Sequence, residues 1–133
     1  MASSPTTVEE FLALGQKSGL LDRQGLDTYL EQQRAADALP SAPRSLARQM
    51  VRDGLLTRFQ AGQLLEGRWR GFLIAGKYRL LDCLGTGGMG TVLLCEHAVM
   101  RRRVALKVLP AARADDSGLL DRFRREARAA WAT

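Results

Sequence analysis

Cysteine and histidine are nearly missing from this sequence, which holds two of the first, Cys83 and Cys95, and one of the second, His97. Two cysteines make no disulfide framework, and with no C-x-x-C pair and no histidine cluster there is no metal-ligand spacing. Reduced, buried and inert thiols are expected, and no metal. Long apolar runs are also missing: none approaches the ~20 residues that a membrane-spanning helix needs. The N-terminus is polar and runs into Glu9-Glu10, without the basic start and apolar core of a secretion signal. These absences point to a cytoplasmic chain with no membrane segment.

What is present is an ordinary globular composition, 46% hydrophobic and 26% charged, which argues against wholesale disorder. The 133 residues leave room for one domain or two small ones. The net charge of +6 is uneven, with nine basic and eight acidic side chains in residues 1 to 76 and eleven and six in residues 77 to 133. A basic surplus in the C-terminal part fits a phosphate-bearing partner or a solvated face.

The first half reads as helix. Val8, Phe11 and Leu12 recur at helical spacing up to Gly15 or Ser18-Gly19, and Leu26, Tyr29 and Leu30 form a second stripe that ends before Pro40. After a Pro/Ser linker the pattern restarts with Leu46, Ala47, Met50 and Val51. Thr57 is placed to cap a fourth helix carrying Phe59, Leu64 and Leu65. Aligning Ser18-Gly19-Leu20-Leu21 with Asp53-Gly54-Leu55-Leu56 gives an offset of 35 that also matches Lys17 with Arg52, Arg23 with Arg58 and Leu30 with Leu65. The expectation is two helix-turn-helix pairs packed as a four-helix unit, because helices this short need one another's apolar stripes. An adaptor for a protein partner and a structural extension stay open as its role. DNA binding is disfavoured, since residues 22 to 33 and 57 to 66 are not basic enough to meet phosphates, and no nucleic-acid partner is assigned. Residues 67 to 76, with three glycines, read as a linker or a short extra strand.

A glycine loop, G-x-G-x-x-G with Gly85, Gly87 and Gly90, then joins two apolar runs that read as strands, residues 77 to 84 and 91 to 95. In a dinucleotide fold such a loop opens a helix, whereas here a β-branched run follows; a Walker A loop would need Gly-Lys-Ser/Thr next. A third strand over residues 103 to 109, closed by Pro110, puts Ala105, Lys107 and Leu109 on one face. A helix follows after Asp115-Asp116-Ser117, with Glu126 at the border of its apolar face.

On these residues, positions 77 to 133 resemble the N-terminal lobe of a bacterial eukaryotic-like serine/threonine protein kinase. The resemblance rests on G-x-G-x-x-G-x-V at residues 85 to 92, a V-A-I-K-like Val104-Ala105-Leu106-Lys107, and an acidic residue on the next helix. It implies an α+β chain, with an all-helical unit at 1 to 66 and a partial kinase N-lobe of three antiparallel strands plus the αC helix at 77 to 133. It also implies ATP as ligand, with Leu84, Gly85, Thr86, Gly87, Gly88, Met89, Gly90, Thr91, Val92, Ala105 and Lys107 around it and Glu126 as the ion-pair partner of Lys107. Mg2+ and a protein substrate are expected only of a full-length form. These 133 residues contain no H-R-D, D-F-G or A-P-E motif, so this polypeptide alone is expected to be inactive, with an unpaired and association-prone sheet edge. A noncatalytic nucleotide-binding or protein-interaction module is the alternative.

Overall fold

The computed structural model describes residues 3 to 87 and 90 to 108. The expectations that concern Gly88, Met89, Leu109, Pro110, the helix after residue 117 and Glu126 lie outside the described residues. The chain divides after Trp69 into two compact units.

The first unit holds α1 (Val8–Lys17), α2 (Arg23–Ala35), α3 (Pro43–Arg52) and α4 (Arg58–Leu65). Local chemistry sets each start. Thr7 Oγ1 accepts from the Glu10 amide at 3.1 Å, and Asp22 accepts from the Gly25 amide at 2.9 Å. Thr57 and Gln60 form a reciprocal capping box. α3 starts on Pro43, whose fixed φ suits a first helical position and whose missing N–H is no loss there. Glycine sets the turns: Gly19 and Gly54 both sit at φ +83°, where a side chain would clash with the backbone.

The repeat is visible in the backbone. α1 and α3 begin and end 35 residues apart, α2 and α4 begin 35 apart, and so do the two positive-φ glycines. Phe11 and its equivalent Leu46 are both fully buried, as are Met50 and Leu64. α3 packs on α4, and α1 on both. α2 is tied to α3 by polar contacts: the Tyr29 hydroxyl donates to Asp53 Oδ2 at 2.8 Å and Gln49 Nε2 donates to Gln33 Oε1 at 2.9 Å. The bond from Tyr29 is the main reason the Asp53 carboxyl lies below its ordinary range, with Arg52 adding to it. Burial, followed by the bond to Asp53, raises the Tyr29 hydroxyl.

The second unit is an antiparallel sheet in the order β1 (Leu73–Ile74), β2 (Tyr78–Gly87), β3 (Gly90–His97) and β4 (Arg103–Val108). It has four strands where three were expected. The fourth, β1, is the short strand left open for residues 67 to 76. It forms because Ala75 and Gly76 both take positive φ, turning the chain so that Ile74 meets Tyr78 and Leu73 meets Arg79. Alternation along β3 and β4 separates two faces. Leu93, Cys95, Leu106 and Val108 are buried, while Val92, Leu94, Ala105 and Lys107 are half-buried.

β2 departs from simple alternation. Its register against β3 slips between Leu80 and Asp82 and again between Cys83 and Gly85, so Leu81 and Leu84 are extra residues on the β2 side. Such bulges bend a strand and re-aim its side chains. Beyond Leu80 no described residue of β2 is buried. Cys83 is therefore half-buried rather than enclosed, a correction to the expectation of two buried thiols, whereas Cys95 is fully buried.

Candidate functional site

The glycine loop is the tip of the β2–β3 hairpin. Gly87 pairs with Gly90, Thr86 with Thr91 and Gly85 with Val92. Gly90 has φ +119°, which favours glycine on conformational grounds. Gly85 and Gly87 are different: a Cβ built on either would meet nothing within 4 Å. Their lack of a side chain fills no packing need among the described residues. It leaves bare, exposed backbone at the end of the sheet.

The β3–β4 register adds the second part. Val92 pairs with Lys107 and Leu94 with Ala105. Together with the Gly85–Val92 pair this makes a cross-strand row Gly85, Val92, Lys107, and next to it a row Asp82, Leu94, Ala105. Val92, Ala105 and Lys107, chosen from sequence, thus share the half-buried face that ends at the glycine hairpin. Leu84, the bulged residue beside Gly85, is 55% exposed. Thr86 is exposed, and Thr91 is only 6% exposed, on the opposite face from Val92. Any contact Thr91 makes on the open side is through its backbone.

Leu94 was not singled out from sequence, although it lies two residues from Val92 and opposite Ala105. Period two from Val92 was the available signal. Behind this face, burial pushes the Cys95 thiol up to about 12. At the far end of β3, His97 Nδ1 accepts from the Val99 and Met100 amides at 3.3 and 3.1 Å, and its ring packs edge-on against Tyr78. Among the described residues no group of three or more His, Cys, Asp or Glu could hold a metal, and no helix is long and apolar enough to cross a membrane.

The arrangement presents a glycine hairpin, an apolar strip and one lysine on a single sheet face. No protein-family model matches the chain. Curated relatives do match it. It is 44% identical over 57 residues to the serine/threonine-protein kinase PrkC of Bacillus subtilis, covering 43% of this chain and 9% of that protein. It is 43% identical over 65 residues to the serine/threonine-protein kinase PksC of Streptomyces coelicolor (48% and 12%), and 48% identical over 58 residues to the serine/threonine-protein kinase PknA of Corynebacterium glutamicum (44% and 12%). Over a little under half its length, the chain is related to bacterial serine/threonine protein kinases. It spans 9 to 12% of the length of these three relatives. The kinase-related stretch and the α+β organisation agree: an antiparallel sheet with a glycine hairpin is compatible with part of a kinase N-lobe.

Proposed function

We propose that residues 77 to 133 form the ATP-binding part of the N-terminal lobe of a serine/threonine protein kinase. The observation that carries this reading is the row Gly85, Val92, Lys107, which brings the glycine hairpin and the lysine to one end of one sheet face. The chemistry of the residues fits the ligand. Bare backbone at Gly85 and Gly87 lets amides approach phosphate oxygens, since nothing crowds the space a Cβ would take. Leu84, Val92 and Ala105 offer apolar contact to the adenine ring, and Lys107 offers a cation to the α- and β-phosphates. Gly90, opposite Gly87, and the main-chain groups of Thr86 and Thr91 belong to the same phosphate-facing hairpin, and Gly88 and Met89, which follow Gly87 in the sequence, are assigned to it by the glycine motif. Glu126 would hold Lys107 in position.

ATP, when bound, supplies the γ-phosphoryl group that a full-length form would move to a protein serine or threonine. Mg2+ belongs to that form too. Within these 133 residues no H-R-D or D-F-G motif supplies a catalytic base or a magnesium-holding aspartate. We therefore assign them nucleotide binding and positioning, without transfer, in a cytoplasmic setting.

A second element of the proposal concerns residues 1 to 66, joined to the kinase-related part by residues 67 to 76. The 35-residue spacing of the helix starts and of Gly19 and Gly54 supports two helix-turn-helix pairs, and a protein partner is the occupant we assign to them. On the alternative reading, this helical unit is the working part and the chain is a noncatalytic interaction module.

Calorimetric titration of the chain with Mg-ATP tests the nucleotide reading. Measurable affinity that is lost in Lys107→Met supports it. No binding, or affinity unchanged by that substitution, sinks it and leaves the interaction module.

A further inference from the structure

The β3–β4 hairpin tip, at the opposite end of β3 from the glycine loop, is not used by the nucleotide reading. It carries the two most exposed large apolar side chains among the described residues, Val99 at 82% and Met100 at 60%. Arg101, Arg102 and Arg103 follow directly, all exposed. Only Arg101 has an acidic partner here, Glu96 at 3.5 Å; Arg102 and Arg103 have none among the described residues. Lys77 adds a further exposed cation beside the tip, where its carbonyl accepts from the Ala98 amide at 2.8 Å.

The tip is built rather than frayed. The His97 amide donates to the Arg102 carbonyl and the Arg101 amide to the His97 carbonyl, both at 2.8 Å. His97 Nδ1 accepts from the amides of Val99 and Met100 themselves. Their exposure is thus held in place by four hydrogen bonds within the same turn, and hydrophobic side chains fixed outward next to cations call for a partner that is apolar and anionic at once.

We propose that this tip docks on the headgroup region of an anionic lipid bilayer, with Val99 and Met100 entering the interface and Arg102 and Arg103 meeting lipid phosphates. Charge complementarity selects this occupant. A second copy of the chain would set the same arginines against each other, and a nucleic acid would meet the arginines while offering no apolar phase to Val99 and Met100.

Co-sedimentation with phosphatidylcholine vesicles, with and without phosphatidylglycerol, tests it. Binding is expected only to vesicles containing phosphatidylglycerol and weakens as salt is raised. Arg102→Gln with Arg103→Gln lowers partitioning about thirty-fold, the conversion of about 1 kcal/mol per arginine near such a surface. Val99→Ser with Met100→Ser leaves the charge unchanged and lowers partitioning about tenfold. All four side chains are exposed, so circular dichroism of the variants stays that of the parent. Equal binding to both vesicle types overturns the proposal, as does a Val99→Ser/Met100→Ser variant that binds like the parent. Displacement from vesicles by DNA or polyglutamate with that variant unaffected assigns the tip to a polyanion instead. Concentration-dependent dimers lost in the same variants, without vesicle binding, assign it to self-association.

Discussion

Val92 and Lys107 are direct register partners across β3 and β4, and Val92 is at the same time the partner of Gly85 across β2 and β3. Fifteen residues separate the first pair in the chain, yet the β3–β4 turn returns them to one row. The candidate site is a property of that register. A slip of one residue between β3 and β4 would send Lys107 to the buried face, and one between β2 and β3 would take Gly85 out of the row.

Lys107→Met should weaken Mg-ATP binding about ten- to a hundredfold, the range expected for losing hydrogen bonds between charged partners. Lys107 is half-buried on an otherwise apolar strip, so its thermal midpoint should change little. Calorimetry and a melting curve on the same sample separate the two effects.

Gly85→Ala and Gly87→Ala separate binding from folding in the other direction. Each new Cβ enters empty space and neither glycine is at positive φ, so stability should stay within about 0.5 kcal/mol. Nucleotide affinity should fall if backbone approach is what these glycines provide. Unchanged affinity in both variants would remove them from the site.

Gly19→Ala and Gly54→Ala should each destabilise the helical unit by about 1 kcal/mol, because both glycines hold φ +83° and the cost is conformational. No side chain stands within 4 Å of either position. Chemical denaturation should give matching losses at the two sites, as their equivalence in the repeat requires.

Tyr29→Phe removes the hydroxyl that donates to Asp53, and the loss should depend on pH at both ends. The folded-state value of Asp53 lies below its unfolded one, so the contribution is complete above about pH 4 and is lost as pH falls through the folded value. The folded-state value of Tyr29 lies above its unfolded one, so the contribution is complete below about pH 10 and is lost as pH rises through the folded value. Urea midpoints of parent and Tyr29→Phe should differ most between these limits and converge outside them.

The two thiols should be distinguishable by labelling. Cys95 is buried with its thiol pushed up to about 12, while Cys83 is half-buried on the bulged strand. A disulfide reagent at pH 8 should modify Cys83 at once and Cys95 only on unfolding. Equal rates would show that the sheet opens at β3.

Much of the helical unit was legible because short-range rules act there. Thr57 was named as a cap from its position ahead of an apolar stripe, and it caps; the 35-residue offset found in seven residue matches recurs in helix bounds. The glycine hairpin and the strand of Lys107 were legible for the same reason, through period two and turn residues. The bulges at Leu81 and Leu84 were not. Nothing in the residues themselves marks which strand of a ladder will carry the extra residue, and that choice exposes Leu84 and leaves Cys83 half-buried. The short strand β1 was legible only as an option, since it depends on Ala75 accepting a positive φ that alanine ordinarily avoids.

By itself, the sequence determined the element types, the repeat, the glycine hairpin and the chemistry of its residues, because each follows from local backbone preference and side-chain period. Tertiary structure alone decided which residues of different strands share a face. Pairing of distant segments set the Gly85, Val92, Lys107 row, turned the Thr91 side chain away from it and added Leu94 to the same side, while hydrogen bonds within residues 97 to 102 hold Val99 and Met100 outward at the far end. Hydrogen-bond register between strands is a long-range choice, and only the folded sheet makes it.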